Sequence, residues 1–188
     1  MNTGTVYAYA HKNRPRDRRL KRSEVAAEDE QTRLFDACRR CRNTYLLPLV
    51  RLALETAMRQ GELLNLRWEH IDLKRCTALL PDTKNGESRT VPLSGPAVSI
   101  LNALPRSIMG DVFASYTRNA VKKAFDRARQ SACMRGLRFH DLRYEATTRF
   151  FEMGLNVMEV AAITCHKDIR MLSRYAHLRA EDIALKLA

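Results

Sequence analysis

The sequence predicts a mainly helical α+β domain carrying one small three-stranded antiparallel sheet. Most of the chain falls into windows in which apolar side chains recur every three or four positions. Near its middle, three β-compatible runs are separated by turn signals at Leu73-Lys74-Arg75 and Asn85-Gly86. With 45% of its 188 residues apolar, the chain can fill a core of its own. No apolar run approaches the roughly 20 residues that span a bilayer, and the N-terminus lacks a signal-peptide core.

The elements follow in order. His11 to Arg22 holds seven Lys or Arg with Pro15 and no periodic apolar face, which reads as a basic flexible leader over residues 1–22. Ser23 opens the domain, residues 23–188, as an N-cap, with Val25, Leu34 and Phe35 giving a helical face through about Arg40. Tyr45 to Ala57 is strongly apolar and reads as a second helix, followed by a short helix around Arg59 in which Leu63 and Leu66 keep helical spacing. Trp68 to Leu73, Cys76 to Pro81 and Ser88 to Leu93 are the expected strands. Helices then resume at Gly95 to Leu104, Ser115 to Cys133, His140 to Met153, Val157 to Thr164, Ile169 to Ala176 and Ala180 to Leu187.

Charge narrows the partners. There are 33 Lys and Arg against 21 Asp and Glu, a net charge of +12, and Arg supplies 25 of the cations. Such a field attracts polyanions and makes binding salt-sensitive. Taken alone it fits DNA, RNA or an acidic membrane surface equally well. With no spanning run and no signal-peptide core the cytoplasm is the expected location, and five cysteines, an odd number in a basic chain, argue against a disulfide framework. Cys38-Arg39-Arg40-Cys41 has CxxC spacing, but no second CxxC or His pair completes a zinc site, so both cysteines read as helix positions and no metal or cofactor is expected.

Six residues within 117 positions carry the functional reading: Arg59, Lys84, His140, Arg143, His166 and Tyr175. The first block, Ala57-Met58-Arg59-Gln60-Gly61-Glu62-Leu63-Leu64, presents one inward Arg. In the second, His140-Asp141-Leu142-Arg143, the imidazole and guanidinium project together from the start of a helix, where an anion is also favoured. The third, Ala161-Ala162-Ile163-Thr164-Cys165-His166 to Ser173-Arg174-Tyr175-Ala176-His177, puts a histidine nine residues before a tyrosine. These blocks resemble the tyrosine recombinases, the phage-integrase family of site-specific DNA recombinases, and the resemblance runs from about Ser23 to the C-terminus.

The resemblance implies a tyrosine-recombinase catalytic-domain fold and a role for each residue. Tyr175 would be the nucleophile, Arg59 and Arg143 the phosphate-clamping pair, His140 the first histidine of the arginine block, His166 the histidine before the tyrosine, and Lys84 the lysine of a β-turn. It further implies double-stranded DNA as partner, a homo-tetramer on paired sites, and a place for accessory DNA-bending proteins. The sequence departs from the pattern twice: Cys165 stands where glycine is usual, and Tyr144 follows Arg143 where histidine is frequent. Full-length members carry a further N-terminal helical domain that closes a clamp around DNA, which 22 leader residues cannot supply. The expectation is an excised catalytic domain or a short natural member, binding DNA weakly and monomeric by itself.

The chemistry stands without the family. A phosphodiester repels nucleophiles, and its five-coordinate transition state gathers charge on the non-bridging oxygens. Two Arg forks neutralise and orient those oxygens better than point charges do. A phenol, with a pKa of about 10, needs cations or a base to become nucleophilic. Histidine moves protons near neutrality, and a lysine can protonate the departing 5′-hydroxyl. A 3′-phosphotyrosyl bond would conserve the phosphodiester energy for rejoining, so no metal or nucleotide is required. Singly, each residue also has a structural role open to it: Arg59 paired with Glu62, His140 capping its helix, Tyr175 as a core aromatic, Lys84 as a solvated turn residue. Two other functions remain open, a DNA-binding regulator or inactive relic, and a type IB topoisomerase-like enzyme.

Overall fold

The computed structural model describes residues 18–23, 29–81, 88–114, 116–166, 168–173 and 175. Seven α-helices and three strands are built from them: α1 Glu30–Arg39, α2 Leu46–Thr56, α3 Gln60–Leu64, β1 Ile71–Asp72, β2 Thr77–Leu80, β3 Arg89–Pro92, α4 Gly95–Asn102, α5 Arg118–Ser131, α6 Phe139–Glu152 and α7 Val157–Thr164. The class is as the sequence predicts, mainly helical with one small antiparallel sheet of order β1-β2-β3.

Helix α2 is the centre of the domain. Leu46, Leu49, Val50, Leu52, Ala53, Leu54 and Thr56 are buried along it, while Arg51 is exposed, and it touches α1, α3, α4, α5 and α6. A helix with so wide an apolar face has to be covered by several neighbours. By contrast α5 buries only one stripe, Val121, Ala124, Phe125 and Ala128, at the i, i+3, i+4, i+7 spacing of an amphipathic surface helix. A smaller apolar cluster forms beyond α6, where Val160, Leu172 and Tyr175 pack with Tyr144, Phe150, Phe151 and Leu155.

Register decides which β3 side chains face inward. Leu80 pairs with Arg89 and Ala78 with Val91; Leu80, Ala78 and Val91 are buried, so alternation places Arg89 on that same inner face.

Several boundaries differ from the sequence reading. Trp68 to Leu73 is not one strand: Trp68–His70 forms a 3-10 turn and only Ile71–Asp72 pairs. The turn is anchored instead by Trp68 N–H donating to the Gly110 carbonyl at 2.8 Å. Ile169 to Ala176 is not an α-helix over its described part, because Asp168 caps a 3-10 turn, Ile169–Leu172, by accepting from Arg170 N–H. Helix α1 is capped by Asp29, whose carboxylate accepts from Thr32 N–H, rather than started at Ser23. Helix α5 begins at Arg118, after its cap Thr117, three residues later than expected. Cys38 lies in α1, but Cys41 falls beyond the C-cap Arg40, so only one of the pair is a helix position. The expected helix Ala180 to Leu187 lies outside the described residues.

The end of the basic stretch is built into the domain. Leu20 is buried, and Arg19 meets Glu145 and Glu152 of α6 at 3.2 and 2.8 Å. The Glu145 carboxylate, fully buried, also accepts from Leu20 N–H and from Arg149. A charge cluster therefore does here what an apolar stripe does elsewhere.

Candidate active site

Arg59 stands in the junction between α2 and α3. Helix α2 ends on Ala57 in the left-handed conformation, φ 52°, ψ 20°, and Arg59 then takes an extended conformation as the N-cap residue of α3. It is not within a helix, as the sequence reading had it, but precedes one. Glu62, the third residue of α3, reaches back to accept from Arg59 N–H and from Nη1, each at 2.7 Å. Such a reach-back satisfies an orphan donor at a helix start and fixes the arginine's direction at the same time.

The same carboxylate receives a second guanidinium. Arg89 of β3 donates to Glu62 from Nη1 at 3.1 Å and Nη2 at 2.8 Å. Burial works to raise the Glu62 pKa, but the hydrogen bonds from Arg59 and the charges of Arg89 and Arg59 hold it below the usual carboxylate range.

Arg143 lies one turn into α6 and is buried. Its Nη1 donates to the Ala57 carbonyl and its Nη2 to the Thr164 carbonyl, both at 2.5 Å. These carbonyls end α2 and α7, where no intrahelical donor remains and a cation is favoured. Holding them does not exhaust a fork with five N–H groups. Burial pushes the Arg143 guanidinium down to about 10, Arg59 and Arg89 push the same way, and Glu62 and Tyr175 oppose them. Arg143 thus lies within electrostatic reach of all four side chains.

Past Thr164 the chain turns sharply. Cys165 is left-handed, φ 55°, ψ 52°, and its N–H donates to the Ala161 carbonyl. This is the C-cap position that glycine favours, which accounts for the usual glycine there and shows that the turn closes with a cysteine. It brings His166 round so that Nδ1 lies 2.6 Å from the Thr164 hydroxyl. The Tyr175 ring follows, its centroid 6.0 Å from His166 and 4.8 Å from Tyr144.

Of the six sequence-predicted residues, Arg59, Arg143, His166 and Tyr175 are thus brought together. His140 is exposed in the first turn of α6, one turn before Arg143. Lys84 lies outside the described residues. Arg89 and Thr164 were missed; the β-alternation with Val91 was the available signal for Arg89, and nothing in the sequence marked Thr164. Among the described residues no three His, Cys, Asp or Glu side chains are grouped as a metal site would require.

Residues 24–182 match the model of the phage integrase family. The chain belongs to the phage integrase family. It is 52% identical over 173 residues to the shufflon-specific DNA recombinase of Escherichia coli, covering 92% of this chain and 43% of that protein. The tyrosine recombinase XerA of Saccharolobus solfataricus is 29% identical over 182 residues, covering 90% of this chain and 58% of XerA. The catalytic domain of bacteriophage HP1 integrase superposes with a TM-score of 0.70 at 25% identity, covering 90% of this chain and 94% of that domain. This integrase-family chain therefore spans about half the length of the curated relatives it matches.

Proposed function

We propose that residues 23–188 form the catalytic domain of a site-specific DNA recombinase, preceded by a basic leader, 1–22, whose last residues dock on α6. Tyr175 attacks the scissile phosphorus of double-stranded DNA. The phenol gives up its proton, the bond from phosphorus to the 5′-oxygen breaks as a 3′-phosphotyrosyl bond forms, and the freed 5′-oxygen takes up a proton to leave as a hydroxyl. Attack by a 5′-hydroxyl on the phosphotyrosine reverses the sequence and rejoins a strand, with no external energy source.

Arg59 and Arg143 hold the non-bridging oxygens, His140 and His166 orient groups and handle protons, and Lys84 protonates the leaving oxygen. The observation that carries it is the convergence of Arg59, Arg143, His166 and Tyr175 in a chain of this family. A buried Arg anchored by two carbonyls is preorganised, so it spends little on rearranging when charge develops on the phosphate. The surplus of cations, net charge +12, supports a DNA partner. Membership of this family and the 52% identity to a DNA recombinase favour cutting and joining over binding alone. The acting assembly is a homo-tetramer on paired sites, with accessory DNA-bending proteins setting direction, and the place of action is the cytoplasm. No described helix is long and apolar enough to cross a membrane.

The test mixes the chain, and a Tyr175→Phe variant, with nicked duplexes from a random-site pool and looks for protein-DNA adducts that survive denaturation. Adducts from the parent and none from Tyr175→Phe are expected. A parent that binds duplex without ever forming an adduct would leave a DNA-binding regulator as the function.

A further inference from the structure

Arg89 enters the site from β3 with its side chain only 7% exposed, against a Glu62 side chain only 9% exposed. A buried guanidinium is costly unless a carboxylate answers it. Here the carboxylate already answers Arg59: Oε1 accepts from Arg59 Nη1 and Arg89 Nη1, while Oε2 accepts from Arg59 N–H and Arg89 Nη2. Glu62 paired with Arg59 alone would cancel much of the positive charge that Arg59 can offer a phosphate. With Arg89 the three groups carry one net positive charge, and with Arg143 the four carry two, three cations less one anion. Phenolate attack on a phosphodiester produces a five-coordinate phosphorus bearing two negative charges, which that sum matches.

We propose that Arg89 is a positioning residue of the active site: sharing Glu62 with Arg59, it fixes the Arg59 guanidinium and restores the charge the carboxylate would otherwise cancel. The inference rests on the strand-cutting reading above. Arg89 is too buried to meet DNA itself and acts through Glu62. The carboxylate sets direction, the second guanidinium sets charge, and β3 register holds Arg89 in place.

The test compares single-turnover adduct formation on a selected nicked duplex for the parent chain, Arg89→Gln, Arg89→Lys, Glu62→Gln and Arg89→Gln with Glu62→Gln. Thermal unfolding and duplex affinity are measured beside it. Arg89→Gln is expected to slow adduct formation on the order of 100-fold, the scale of one lost charge-stabilising group, with duplex affinity little changed. Arg89→Lys recovers part of the rate. The double variant is expected to cut faster than Arg89→Gln, because the carboxylate that cancels Arg59 is gone. A merely structural role makes the double variant no faster than Arg89→Gln, and that result overturns the proposal.

Should Arg89→Gln not fold, the double variant set against Glu62→Gln decides: little further loss supports the proposal, and a further loss on the order of 100-fold overturns it. A parent that cuts no faster than Arg89→Gln overturns this inference alone. A parent that forms no adduct overturns the strand-cutting reading and this inference together.

Discussion

Arg143 and Thr164 are joined by a 2.5 Å hydrogen bond from Nη2 to the Thr164 carbonyl, and the Thr164 hydroxyl lies 2.6 Å from His166 Nδ1. One threonine thus couples the buried guanidinium of α6 to the imidazole after α7. Arg143→Lys removes the fork, since one ammonium cannot reach both Ala57 and Thr164 in the arginine's geometry. The variant is expected to lose about 1–3 kcal/mol of stability from the stranded carbonyl, read by urea unfolding. Adduct formation is expected to fall on the order of 100-fold or more. Parent-like stability would mean that the two carbonyls do not depend on Arg143.

Cys165 holds a left-handed φ of 55°, which costs a side-chain-bearing residue roughly 1–2 kcal/mol. Glycine relieves that strain but loses more chain entropy on folding. Cys165→Gly is therefore expected to stabilise the protein by about 0.5–1 kcal/mol, seen as a higher urea midpoint at unchanged slope. A lower midpoint would show that the thiol side chain contributes more packing than the turn strain costs.

Glu145 is the keystone of the Arg18–Ser23 segment, accepting from Arg19, Arg149 and Leu20 N–H while its own side chain is fully buried. Breaking such a buried pair leaves uncompensated charge and typically costs about 3–5 kcal/mol. Glu145→Ala is expected to lose stability on that scale and to open Arg19 and Arg22 to rapid trypsin cleavage. Cleavage there no faster than in the parent would show that Leu20 burial and the Glu30 contacts to Arg18 and Lys21, not the Glu145 cluster, hold the segment.

Acid should unfold the protein through Glu62 and Glu145. Burial opposes ionisation of both, but Arg59 and Arg89 at one, and Arg19 and Arg149 at the other, hold them below the ordinary glutamate value of 4.5. A carboxyl whose folded pKa is depressed contributes stability that is complete above its unfolded pKa and lost as pH falls through the folded one. The melting temperature is expected to stay level from neutrality towards 4.5 and to fall below it. Glu145→Gln should start lower and fall less steeply; an equal fall in both proteins would assign the acid sensitivity to other carboxylates.

Legibility followed the physics of each element. Helix α7 was readable to the residue, because Asn156 and Gly154 punctuate it. The first strand was misjudged because Trp68, Ile71 and Leu73 suit a strand, whereas the pairing of Trp68 with Gly110 is a long-range bond no local window contains. At the site, Arg59, Arg143, His166 and Tyr175 were legible as spaced motifs. Glu62 was seen only as an ion-pair partner, and Arg89 not at all, because a buried cation is recognisable only once its carboxylate is in place. The docking of Arg19 and Leu20 on α6 was hidden for the same reason: Glu145 lies 125 residues from Leu20.

The most direct measurement of the central claim is the site of covalent attachment. Adducts trapped on nicked duplex would be digested with nuclease and trypsin and sequenced by mass spectrometry. A nucleotide remnant on the phenolic oxygen of Tyr175 is the expected result. A remnant on any other residue, including Tyr144 with its ring centroid 4.8 Å away, would contradict the account.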